Sequence, residues 1–114
     1  MSVVPFGFTE ARVGAAEIDT VGPGIVVHRL YRSSAAADAR RALVVTFAPG
    51  TRWPGDDIHL PGPEDVYVVR GTFYGLAGTR TVHTAGDFVH CDAGTRHSPW
   101  TATGGELFVY YPAG

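Results

Sequence analysis

Four side chains in two short stretches have the types and spacing to hold a divalent metal. The first stretch reads Asp57-x-His59-x4-Glu64-x6-Gly71, and the second Gly86-x5-Asp92-x-Gly94-x2-His97-x3-Thr101. Two imidazoles and a carboxylate from separate strands, here His59, His97 and Glu64, close on one ion and leave coordination positions open. That donor set belongs to non-haem iron oxygenase sites and related small metal enzymes. Asp57 reads in two ways. As a fourth, harder ligand it favours Fe(II) or Mn(II) over Cu or Ni; otherwise it is a solvated loop acid beside Asp56, and the triad alone still suffices for oxygen chemistry.

Each residue also has a plainer reading. Glu64 opens an otherwise apolar run, so it is either a solvated strand start or an inward carboxylate that needs a partner, since an unpaired buried carboxylate is very costly. His59 lies in a Pro- and Gly-rich stretch where surface histidines are common. His97 follows Gly94 and precedes Ser98-Pro99, as a loop histidine also could. Their joint spacing favours the metal role. His90 and Cys91 are adjacent on one strand and point to opposite faces, so one of them lines a cavity. His90, Arg52, Trp53, Trp100 and Arg96 are the candidate substrate-pocket residues, with Arg52 and Arg96 flanking the ligand loops where they could hold an anion or enolate.

The elements that must position these residues are short strands. Residues 24–31 (GIVVHRLY), 42–48 (ALVVTFA), 66–73 (VYVVRGTF), 87–91 and 106–111 (ELFVYY) read as β-strands, with a short β-prone run at 79–83. Residues 33–41 suggest a hairpin loop or one helical turn. Residues 52–63 carry too many Pro and Gly for a helix and form a loop or irregular strand bearing Asp57 and His59. Residues 1–23 read as an N-terminal arm, with a strand or helical turn over 11–18, that packs on a sheet edge or a partner subunit; 24–114 form the barrel. About seven strands with regular turns predict an all-β sandwich or small barrel.

Composition agrees. The chain has 114 residues, enough for one domain, with 15 Gly and 8 Pro. Net charge is −2 and all nine basic residues are Arg, which supplies no basic patch for nucleic acid and no polybasic arm for membranes. One cysteine, Cys91, cannot form an internal disulfide and suits a reducing cytoplasm. The first residues lack the basic start and apolar core of a signal peptide, and no segment approaches the ~20 apolar residues of a membrane span.

The two stretches resemble the paired motifs of the cupin superfamily, G-x5-H-x-H-x3,4-E-x6-G and G-x5-P-x-G-x2-H-x3-N. His59, Glu64 and Gly71 fall on the second His, the Glu and the last Gly of the first motif; Gly86, Gly94 and His97 fall on the second. The texture around residues 63–73 and 93–99 is similar to the ChrR-like cupins, a group with anti-sigma domains and dioxygenases that cleave diketones or hydroxyacetophenones. The resemblance covers residues 42–111. It departs at Asp57 for the first His, Asp92 for the Pro and Thr101 for the Asn, and Gly50 lies one residue further from Asp57 than the motif has it. It implies a jelly-roll barrel of the cupin (double-stranded β-helix) type, a metal held by His59, Glu64 and His97, and a homodimer. It also implies dioxygenase-type chemistry on a small organic molecule with Fe(II) favoured and Mn, Ni, Cu or Zn as other candidates. The competing expectations are a non-redox isomerase or cyclase, and a metal-free ligand-binding or sensor cupin.

Overall fold

The computed structural model describes residues 2–4, 7–33, 40–59, 62–78 and 82–112. The expected all-β barrel is what these residues form, and strands of two to four residues are added to the seven anticipated. In chain order they are β1 (Ser2–Val4), β2 (Phe8–Glu10), β3 (Glu17–Thr20), β4 (Ile25–Arg32), β5 (Arg41–Phe47), β6 (Thr51–Arg52), β7 (Asp57–Ile58), β8 (Glu64–Tyr74), β9 (Val82–Thr84), β10 (Phe88–Cys91), β11 (Arg96–His97), β12 (Trp100–Thr101) and β13 (Gly105–Tyr111). A 3-10 turn, Val13–Ala15, sits between β2 and β3. The Pro- and Gly-rich stretch is neither pure loop nor one strand. It yields the two-residue strands β6 and β7, because each breaker ends pairing after one or two bonds. Residues 34–39 and 79–81, parts of the expected hairpin loop and the short β-prone run, lie outside the described residues.

The main sheet is antiparallel and runs β3-β4-β5-β13-β8-β12-β6. Strand β3, within the N-terminal arm, pairs with β4 and forms the sheet's edge. Strand β8 joins the two halves of the barrel. Its first half pairs with β13 on one side and β10 on the other; its last residues pair with β9 and β12. A separate two-residue ribbon pairs β7 with β11. Period-two alternation sends Ile25 and Val27, Val45 and Phe47, Val66 and Val68, and Leu107 and Val109 into one core, closed by Phe73 and Leu76. Phe47 and Phe73 meet edge to face with ring centroids 5.1 Å apart.

The transfer of β8 between partners occurs at Gly71, which has φ +90°. A Cβ there would meet the Gly104 carbonyl oxygen at 2.3 Å and the Gly105 Cα at 2.8 Å, both backbone atoms that cannot yield. Gly86 has a similar φ of +94° but open space around it. The two glycines therefore separate backbone strain from steric exclusion. Gly71→Ala is expected to cost about 3 kcal/mol or more of unfolding free energy, and Gly86→Ala only about 1–2 kcal/mol. Urea unfolding of both variants checks this; equal losses would show that close packing at Gly71 is not what the fold requires.

Candidate metal centre

The ribbon and the start of β8 converge on one point. His97 and Asp57 are directly opposed partners in the β11–β7 ribbon. His59 follows β7, and its backbone is tied on both sides to the turn before β11: His59 N donates to Thr95 O at 2.9 Å, and Gly94 N donates to His59 O at 2.7 Å. Glu64 opens β8 opposite Cys91 of β10. Two turns and two strand ends thus bring together residues far apart in sequence.

His59 is 2% exposed and Glu64 3%, so the plain surface readings of both residues are overturned. The Nε2 atoms of His59 and His97 lie 3.3 Å apart. Asp57 Oδ2 is 3.1 Å from His97 Nε2 and 3.5 Å from His59 Nε2. Glu64 Oε1 is 3.4 Å from His59 Nε2 and 3.7 Å from His97 Nε2. Donors about 2.1 Å from a shared ion stand roughly 3.0 Å apart in cis-octahedral and roughly 3.4 Å apart in tetrahedral arrangement. The observed spacings run from 3.1 Å, close to the cis-octahedral value, to 3.7 Å, just beyond the tetrahedral one, and the ligand atoms of all four residues lie within 4.8 Å of one another.

The hydrogen bonds outside the cluster set the tautomers. His97 Nδ1 donates to the Leu76 carbonyl at 2.9 Å. The Thr95 hydroxyl donates to Asp92 O at 2.6 Å, which leaves its oxygen to accept from His59 Nδ1 at 2.9 Å. Both Nδ1 protons are therefore committed outward, and both Nε2 lone pairs point at the same spot. This is how metal-ligating histidines are held. The donor set fits a divalent metal.

Electrostatics carry the same imprint. Burial and the nearby Asp57 raise the Glu64 carboxyl above its ordinary range, against the pull of a Tyr111 hydrogen bond and the two histidines. Burial pushes His97 down, but hydrogen bonds to Asp57, Cys91 and the Leu76 carbonyl, with the charge of Glu64, outweigh it and raise the group to about 10. Burial and Glu64 likewise raise the Tyr111 phenol.

Tyr111 was not foreseen, although its strand phase holds the signal: it continues the inward row Leu107, Val109, Tyr111. Cys91 is buried, and its sulfur, with His59 and His97, forms a second group of potential donors. Of the expected pocket residues, Trp53 lines the apolar cavity that opens from the cluster, together with Val27, Leu43, Leu107 and Val109; Asp57, Glu64 and His97 form its polar side. The space there is about 390 Å³, including its opening to solvent. Arg52 and Trp100 do not line it. The Arg52 guanidinium lies over the Trp100 ring, which stacks on Tyr74 at 4.4 Å. Arg96 points away from its neighbour His97 and faces Asp56 at 3.7 Å. His90 is also turned outward, between Asp65 and Asp92. Arg96 and His90 border a separate depression behind the two ligand histidines. His28 bonds Thr46, and His83 is buried away from the cluster.

No protein-family model matches the chain, and no curated protein matches it. Solved structures do. An RmlC-like cupin from Shewanella frigidimarina superposes with a TM-score of 0.71 at 25% identity, over 97% of this chain and 93% of that one. The complex of Rhodobacter sphaeroides SigE with the anti-sigma ChrR gives 0.70 at 22% identity, over 88% of this chain and 50% of that one. A candidate acetylacetone dioxygenase from Methylibium petroleiphilum gives 0.74 at 12% identity, over 98% and 81%. At these identities the likeness is one of fold.

Three outcomes follow from the geometry and its electrostatics. A metal bound at His97 Nε2 must expel the proton held there, so near pH 7.5 about one proton is released per ion bound. Calorimetric titration in buffers of different ionisation enthalpy reads this number, and zero release would show that His97 is already neutral in the metal-free protein. In the metal-free protein the raised His97 contributes stability fully below its ordinary value of 6.5, and that contribution is lost as pH rises through about 10. Tyr111→Phe removes a hydrogen bond to Glu64 and is expected to weaken metal affinity about 10-fold or more without abolishing it. Competition against a chelator of known affinity measures the change; unaltered affinity would leave Tyr111 with a packing role alone.

Proposed function

We propose that this chain, whose fold is that of a cupin, is a metal-dependent enzyme of the dioxygenase type acting on a small organic molecule. The observation that carries this reading is the convergence of two inward Nε2 lone pairs and two carboxylates at one buried point beside an apolar cavity. A bound divalent transition metal, Fe(II) favoured by the oxygen-rich donor set, would supply Lewis acidity and oxygen activation to a substrate presenting paired oxygens, such as a β-diketone or hydroxyketone.

The chain's own residues have separable tasks. His59, His97 and Glu64 hold the ion, with Asp57 as a fourth ligand. Thr95 and the Leu76 carbonyl fix the two rings. Tyr111 steadies Glu64. Val27, Leu43, Trp53, Leu107 and Val109 exclude water and receive the apolar part of the substrate. No side chain is required as a nucleophile. The same open Lewis-acid site would also serve a non-redox isomerase or cyclase. One observation favours a metal-free ligand-binding cupin instead: Asp57 already faces His97 Nε2 at 3.1 Å, so a charged pair can neutralise the site without an ion.

Elemental analysis of tag-free protein decides between these readings. Roughly one transition-metal ion per chain, lost in His97→Ala, is the expected result. No metal after reconstitution would remove the enzyme reading and leave the binding module. On iron-loaded protein, oxygen uptake with 1,3-diketones or hydroxyketones is expected; its absence across both classes would remove the oxygenase in favour of non-redox chemistry.

A further inference from the structure

Beyond the cavity, the inner face of the sheet changes character. On β5 the inward row runs Phe47, Val45, Leu43 and then Arg41. On β13 it runs Leu107, Val109 and then Tyr111, which is the direct partner of Arg41. On β4, Ile25 and Val27 are followed by Arg29, the partner of Leu43. Strand β4 therefore changes to arginine at the level of Leu43 and Val109, and β5 and β13 change to arginine and tyrosine one inward pair further on. This rim borders a vestibule of about 760 Å³, including open solvent, lined by Asp19, Arg29, Tyr31, Arg32 and Arg41. Val27 and Leu43 belong to both the vestibule and the cavity beside the metal cluster, so the two spaces adjoin.

The arginines of the rim are not equivalent. Arg29 is neutralised by Asp19, which accepts from its Nε at 2.9 Å, and by Glu17 at 3.5 Å. Arg41 and Arg32 have no carboxylate partner among the described residues. The Arg41 guanidinium lies 4.1 Å from the centroid of the Tyr111 ring, and Tyr111 in turn holds Glu64. A planar cation stacked on an aromatic face keeps its N–H edge free for a planar anion. A guanidinium recognises a carboxylate through two parallel hydrogen bonds.

We propose that the substrate of this site is a small organic acid, whose carboxylate docks on Arg41 with help from Arg32 while its apolar body extends down the cavity toward the metal cluster. This assignment rests on the reading of the cavity as the reaction site. It also moves the anion-binding role from Arg52 and Arg96, which the chain places outside the cavity, to the rim.

The test compares acids with their uncharged amides: hexanoate with hexanamide, and 3-phenylpropanoate with 3-phenylpropanamide. Binding is followed by calorimetry and ligand-observed NMR at low salt, on chelator-treated and on metal-loaded protein. The acids are expected to bind roughly tenfold or more tightly than the amides, as a charge-assisted bond predicts. Arg41→Gln should reduce that preference to about twofold or less, Arg32→Gln should reduce it less, and Arg41→Lys should keep part of it. Thermal melts of each variant establish that it is folded, and Arg32→Gln serves if Arg41→Gln is not. Equal binding of acid and amide, no binding of any probe, or a preference that survives the double Arg41→Gln, Arg32→Gln variant would overturn the proposal. An acid preference on chelator-treated protein that depends on Arg41 supports the rim even if no metal is ever found, so the two readings fail separately. A preference seen only with metal and untouched by the arginine variants would assign the carboxylate to the ion and overturn the rim.

Discussion

Two imidazole nitrogens aimed at each other across 3.3 Å in a buried pocket form the constraint on which the rest of the site turns. With both Nδ1 protons engaged elsewhere, the two lone pairs repel unless something positive lies between them or one ring takes up a proton. Two carboxylates stand in the same space. Such a group of polar atoms, shielded from water, is costly to assemble, and folding tolerates it only when charge is balanced at the centre. The raised His97, the Asp57 beside it and the Tyr111 hydroxyl on Glu64 are the ways in which the chain balances it by itself.

The architecture serves that constraint by placing each donor on a different anchor. Glu64 stands at the head of the longest strand, β8, whose first half is paired on both sides by β10 and β13. Asp57 and His97 share a ribbon only two residues long, and His59 hangs from backbone bonds to the turn before it. The rigid part of the site is therefore its carboxylate on β8, and the histidines are brought to it by turns. Gly71 belongs to the same design. By letting β8 pass closely under Gly104 and Gly105, it allows one strand to serve both halves of the barrel.

Much of this was legible in the chain because ligand spacing is a strong geometric restriction. His59, Glu64 and His97 sit where strand ends and tight turns can deliver them, and Gly71 and Gly94 mark the required bends. The alternation of strands was also legible, which is why His90 and Cys91 could be assigned to opposite faces. What misled was proximity along the chain. Arg96 and Arg52 lie next to ligand-bearing segments, yet a neighbour on a strand points the other way, and Arg96 is directed outward for the very reason that His97 is directed inward. Tyr111 and Arg41 were within reach of the same reasoning, since they continue inward rows. Which end of those rows opens to solvent depends on how the sheet curls, and periodicity does not encode that.

The short ribbon has one more consequence. His59 and His97 are separated by 38 positions, and the chain has no disulfide to tie distant segments together. An ion shared between them would bind only while both ends of that loop are in place, and so would stabilise the closed ribbon by mass action. Occupancy would then govern how often the β7–β11 ribbon opens to solvent, making proteolytic lifetime and hydrogen exchange of that ribbon report on metal supply.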